Sequence, residues 1–162
     1  MSTHTLAPDA IKEEAPFGIL PDGRPVHAYR LTSGSGLDLR FLSLGGIIVS
    51  LVVPDRDGRL DDITPGYDAL ESYLDDPAYF GAIVGRYANR IDGGRFVLDG
   101  VERHLHANEG KHQLHGGPGG FHSVLWRVEL HHGHDACGAT LHYNSPAGEE
   151  GFPGALDVSV TY

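Results

Sequence analysis

The chain has 162 residues, 40% of them apolar and 21% charged, proportions that supply a packed core and exclude wholesale disorder. Twelve lysines and arginines stand against 22 aspartates and glutamates, a formal net charge of −10. A nucleic-acid binder needs a basic face to displace phosphate counterions and a polybasic membrane anchor needs the same sign, so both are excluded as partners. The single cysteine, Cys137, rules out an internal disulfide and any multi-cysteine metal site.

Met1 to Phe17 has no apolar stretch of signal-peptide length and carries Glu13 and Glu14. Residues 1–16 are expected to form a flexible segment and residues 17–162 one domain. The longest apolar run, Leu44 to Val53, is interrupted by Gly45, Gly46 and Ser50 and is too short for a membrane helix. A reducing cytoplasm is the expected compartment.

In chain order the pattern is one of short β-prone runs set off by glycine, proline and aspartate. Val26 to Leu31 ends at a Ser-Gly-Ser-Gly turn, and Leu37 to Leu42 follows. Ile47 to Val53 is closed by Pro54 and a turn through Asp55-Arg56-Asp57-Gly58. Tyr67 to Leu74 holds the one helical periodicity, two turns ended by Pro77. Ala82 to Val84 reads as a short strand. Arg95 to Leu98 and Val101 to Leu105 flank Asp99-Gly100, the strongest hairpin signal in the chain. Val124 to Leu130, Ala139 to Tyr143 and Leu156 to Tyr162 complete about nine strands. The predicted fold is all-β, a sandwich or barrel. Leu156 to Tyr162 is a patterned strand with no charge or turn after it, and an unguarded strand of this kind invites self-association through its edge.

Three constellations carry candidate chemistry. Gly85-Arg86-Tyr-Ala-Asn89-Arg90 places two guanidinium forks and an amide within five residues at a strand end, a set suited to vicinal hydroxyls or, more mundanely, to pairing with surface carboxylates. Leu114-His115-Gly116-Gly117 with Gly119 and Gly120 puts a histidine on a glycine-lined loop where backbone and ligand approach closely. His104-Leu-His106 with Glu109 approaches the ligand spacing of a cupin-like metal site, one or two residues short of it. His131-His132-x-His134 reads as a solvated turn, and Tyr79, Phe80 and Trp126 read as core aromatics that are also able to stack on a sugar face.

Taken together, the segments Pro77-Ala-Tyr-Phe-Gly-Ala-Ile-Val-Gly-Arg-Tyr-Ala-Asn-Arg-Ile91, Gly94 to Gly100, Leu114-His-Gly-Gly117 with Gly120-Phe121 and Trp126, and Gly148-Glu-Glu-Gly-Phe-Pro-Gly154-Ala-Leu156 resemble the aldose 1-epimerase (galactose mutarotase) family, in that family's order and spacing. The resemblance implies a galactose-mutarotase-like β-sandwich. It also implies acid–base interconversion of the α and β anomers of aldohexoses such as galactose and glucose, with no cofactor or metal. It assigns Asn89 and Arg90 to hydroxyl binding, and His115 to binding the sugar and polarising its ring oxygen. Only the family's first half is matched. The Asn-His-Ser/Thr-Tyr-Phe segment that holds the family's proton donor does not occur here. None of Glu102, Glu109, Glu129, Glu149 or Glu150 matches its basic glutamate. The chain is therefore expected to be a truncated form, inactive alone. Rival readings are a non-catalytic carbohydrate-binding module, the cupin-like metalloprotein, and a relative acting on sugar phosphates.

Overall fold

The computed structural model describes residues 10–75, 78–133 and 136–162. Twelve strands appear among them, in chain order β1 (Ala10–Ile19), β2 (Pro25–Thr32), β3 (Asp38–Leu42), β4 (Ile48–Pro54), β5 (Leu60–Asp62), β6 (Arg90–Ile91), β7 (Arg95–Leu98), β8 (Val101–His104), β9 (Gln113–Leu114), β10 (Arg127–His132), β11 (Cys137–Ser145) and β12 (Leu156–Thr161). One short helix, α1, spans Leu70–Leu74. The expected all-β class is what the chain adopts.

β1 to β5 form an antiparallel sheet in sequence order, and β10 to β12 form a second. Strand alternation explains how they stack. On β2, Val26 and Ala28 point to one face and join Leu42, Leu44, Val49, Leu70 and Tyr73 in a core closed by α1. Tyr29 and Leu31 point to the other face and join Phe41, Phe121, Trp126, Ala139 and Leu141, the core shared with the second sheet. The β1–β5 sheet thus buries apolar residues on both faces, and β4 reads as a nearly unbroken apolar run, whereas β2 and β3 interleave theirs with His27, Arg30, Asp38 and Arg40. Between the two sheets' contributions lie two small ladders, β6 with β9 and β7 with β8.

Most expected strands are present within a residue or two, and the Asp99-Gly100 turn has φ of +52° and +76°, the left-handed pair that a two-residue hairpin requires. Four differences stand out. Ala10 already pairs with Thr32, so part of the segment expected to be flexible is strand β1. Its Glu13 and Glu14 meet His27 and Arg40 across the sheet, and Pro16 sits at a register shift. Charged residues in a run mark an edge strand as readily as a tail, and only the partner decides which. Ala82 to Val84 forms no ladder. Its Ala82 N–H donates to the Tyr79 carbonyl and its Ile83 N–H to the Gly45 carbonyl, and the Gly81 carbonyl just before it accepts the Ile48 N–H. The strand expected from Val124 begins only at Arg127, and β5, β6 and β9 were too short to show a pattern. Pro77, expected to end the helix, and His134 lie outside the described residues.

Candidate active site

The site is built on the shortest ladder of the fold. β6 and β9 pair over two residues, Arg90 with Leu114 and Ile91 with Gln113. Asn89 and His115 stand just outside that ladder on opposite strands, both left-handed, with φ of +66° and +53°. Asparagine tolerates this region better than most residues and histidine is enriched there, but a pair of such residues facing each other is uncommon. The two hold each other reciprocally: the Asn89 N–H donates to His115 Nδ1 at 3.0 Å, and the His115 N–H donates to the Asn89 carbonyl at 3.1 Å. With Nδ1 accepting, the proton of the neutral ring resides on Nε2, so His115 presents an N–H donor outward.

Arg90 is aimed by a carboxylate. Its Nε donates to Glu109 Oε2 and its Nη2 to Oε1 (2.6 Å), a fork-on-fork pair, while Nη1 donates to Asn89 Oδ1 at 3.2 Å. Hydrogen bonding to Arg90 holds the Glu109 carboxyl below the usual carboxylate range. Asn89, Arg90 and His115, separated by up to 26 positions, are thus brought into one patch. Its remaining donors are the Asn89 amide group, the outer edge of the guanidinium and His115 Nε2.

Asn108 fixes the same ladder from below. Its Oδ1 accepts the Leu114 N–H at 2.7 Å, and its Nδ2 donates to the Leu114 carbonyl (2.9 Å) and to the Tyr79 hydroxyl (3.3 Å). Tyr79, also left-handed, stands edge-on between His115 (4.9 Å, 70°) and His122 (4.7 Å, 73°). In the sequence Tyr79 reads as an aromatic, and Asn108 and His122 stand only as the ends of the glycine-rich run around His115, with no role of their own. No local pattern marks a side chain whose partners are up to 29 positions away.

Arg86 corrects the sequence reading most sharply. It turns away from the patch and clamps the segment after β11. Nε donates to Ser145 Oγ (2.8 Å), Nη2 to the Ser145 and Pro146 carbonyls (3.0 and 2.8 Å), and Nη1 to the Pro153 and Gly154 carbonyls (3.3 and 2.8 Å). The cupin-like triad does not converge either. His104 meets Glu102, His106 meets Glu150 and Glu109 meets Arg90. Among the described residues no cluster of three or more metal-ligating side chains forms. A hollow of about 610 Å³ opens on the β10–β12 sheet between Arg127, His142 and Asp157, and Asn89, Arg90 and His115 do not line it.

The family profile described as aldose 1-epimerase matches residues 27–162. The chain belongs to the aldose 1-epimerase family. It is 45% identical over 147 residues to galactose mutarotase of Rattus norvegicus, an alignment covering 90% of this chain and 42% of the relative. Aldose 1-epimerase of Escherichia coli is 34% identical over 144 residues, covering 89% and 41%. Among solved structures, an aldose epimerase homologue from C. elegans superposes with a TM-score of 0.71 at 32% identity, over 79% of this chain and 38% of that one. Galactose 1-epimerase of Lactobacillus acidophilus gives 0.78 at 20% identity, over 95% and 43%, and supports the fold. The chain spans about two-fifths of the length of these aldose epimerases.

Burial, and secondarily the nearby His115, pushes the His122 imidazole below its ordinary value. Its Nδ1 is buried and has no hydrogen-bond partner among the described residues. A histidine held neutral in the fold is protonated first in the unfolded chain. Its contribution to stability is therefore complete above pH ~6.5 and is lost as the pH falls below that value. His122→Gln should flatten the decline of the urea midpoint between pH 7.5 and 5.5, and an unchanged slope would show that His122 is not the group responsible. No helix among the described residues is long and apolar enough to cross a membrane.

Proposed function

We propose that Asn89, Arg90 and His115 grip an aldohexose such as galactose or glucose, and that this polypeptide carries the hydroxyl-binding part of an aldose 1-epimerase site. The observation that carries the reading is the reciprocal Asn89–His115 pairing. It fixes an Nε2–H donor beside an amide and a guanidinium, all three able to serve hydroxyls and a ring oxygen at once. Mutarotation opens a cyclic hemiacetal and recloses it on the other face. A base takes the C1 hydroxyl proton while an acid protonates the ring oxygen, and the roles then exchange. His115 polarises the ring oxygen in this scheme. Arg90 and Asn89 fix the ring by its hydroxyls, so that the C1–O5 bond lies in a constant place.

The patch holds no free base. Glu109 is engaged by Arg90 and kept well ionised, so it is a weak proton acceptor, and Glu150 lies beneath the glycine loop. The 162-residue polypeptide alone is therefore expected to bind galactose saturably and yet leave the decay of optical rotation of fresh α-galactose at the buffer-catalysed rate. Clear acceleration would sink that expectation. His115→Ala and Arg90→Ala should each weaken galactose binding about tenfold by NMR titration, the worth of a good hydrogen bond to a charged or well-placed donor. Unchanged affinity in both would remove the assignment. Binding without catalysis also describes a carbohydrate-binding module. The two readings separate on adding the remaining part of a full-length relative, which restores turnover only to an epimerase portion. A sugar-phosphate substrate is disfavoured because Arg86, the second arginine of the motif, is spent on backbone carbonyls.

A further inference from the structure

Glu150 lies outside the gripping patch, yet three separate parts of the chain converge on it. Its side chain is only 13% exposed. Oε1 accepts the Gly119 N–H at 3.0 Å, and Oε2, buried and accepting no hydrogen bond, has His106 Nδ1 3.3 Å away. Its backbone carbonyl accepts the His106 N–H at 3.1 Å and Gln113 Nε2 at 3.2 Å. Gln113 is fully buried and lies two positions before His115. Glu150 itself is held in the left-handed region, with φ of +50°, inside a turn bounded by Gly148 and Gly151. A glutamate in that conformation persists only where its surroundings over-determine it.

The glycine loop is shaped around this carboxylate. A Cβ at Gly117 would lie 2.4 Å from Oε2, and one at Gly119 2.5 Å from Oε1. On its other side the loop is pressed against Gly85, whose carbonyl accepts the Phe121 N–H at 3.1 Å. The loop Gly116–Gly120 is thus held between a carboxylate below and a carbonyl above, and His115 is the residue that enters it.

We propose that Glu150 is a positioning residue for His115: by clamping the Gly116–Gly120 loop it fixes the angle at which Nε2 meets a sugar. This deepens, and rests on, the reading of Asn89, Arg90 and His115 as a hydroxyl grip. Glu150 does not touch the substrate and does not act as the base.

The test uses the 162-residue chain, isotope-labelled, with two readouts: the Gly119 amide and His115 imidazole resonances without sugar, and galactose affinity. Glu150→Ala should move both sets of resonances and weaken galactose about tenfold. Glu150→Gln, which keeps an Oε1 acceptor, should restore most of both. Gly119→Ala should mimic the loss because its Cβ meets Oε1. Combined with Glu150→Ala it should add little, since the clash is gone. Wild-type His115 resonances and affinity in Glu150→Ala, or additive effects in the double variant, would overturn the proposal. If the wild-type chain fails to bind galactose, the functional reading falls and the His115 resonances still judge Glu150. If Glu150→Ala fails to fold, the same resonances in Gly119→Ala decide, and an unmoved His115 overturns it.

Discussion

Gly116→Ala is expected to destabilise the chain by about 2 kcal/mol or more and to abolish galactose binding. Gly116 has φ of +89°, where an L side chain is strained, and its Cβ would lie 1.8 Å from the Gly85 carbonyl oxygen and 2.7 Å from the Arg86 nitrogen. Backbone, unlike a side-chain tip, has nowhere to go. Gly85 is buried, and a shift of its carbonyl breaks the Phe121 N–H bond to it. Phe121 in turn packs edge-on against Trp126 at 5.7 Å and accepts the indole N–H through its carbonyl at 3.1 Å. Left-handed strain of order 1–2 kcal/mol and a lost hydrogen bond of about 1 kcal/mol give the expected minimum. Urea unfolding followed by Trp126 fluorescence reads the effect at its source. A midpoint within error of wild type would show that the two backbones do not meet this closely.

The second large effect is expected at Arg86. Arg86→Ala removes five hydrogen bonds that tie the segment after Gly85 to four carbonyls and to the wholly buried Ser145. Ser145 also donates to Glu149, which takes the Tyr143 hydroxyl as well, so truncating the guanidinium strips a partner from a linked set of polar groups. Hydrogen bonding to Glu149 adds to burial in pushing the Tyr143 hydroxyl up to about 12, and the hydroxyl stays a donor throughout the physiological range. Leaving such a set partly unsatisfied costs about 3 kcal/mol. Arg86→Lys should recover less than half of that, because one ammonium cannot reach the carbonyls on both sides that the planar fork spans. Equal stability of the lysine and wild-type proteins would show that charge alone matters there. Because the clamped segment carries Glu150, galactose binding should weaken in parallel with stability.

Much of the architecture was legible in the order of residues. Hairpins such as the one at Asp99-Gly100 are written locally, because only residues that accept positive φ close a two-residue turn. The apolar run that forms β4 and the alternation of Trp126, Val128 and Leu130 likewise report which faces are buried, since strand side chains alternate with period two. β1 was not legible. A polar edge strand with a proline at its bulge looks like a tail until Arg40 and His27 are found opposite its glutamates. The ladder β6–β9, two residues on each side, is below the length at which any periodicity exists.

The order of residues is enough for the all-β class, the turns and, through separated motifs, the family and the candidacy of Asn89, Arg90 and His115. Which of these side chains lie together, and what each one bonds, came only from the folded chain. Arg86 and Arg90 are the same amino acid four positions apart. One faces Ser145, 59 positions away, and is a structural clamp; the other faces Glu109 and Asn89 in the patch with His115. Nothing local distinguishes them, because a guanidinium's role is set by the acceptors within about 3 Å of it, and those are supplied by distant parts of the chain.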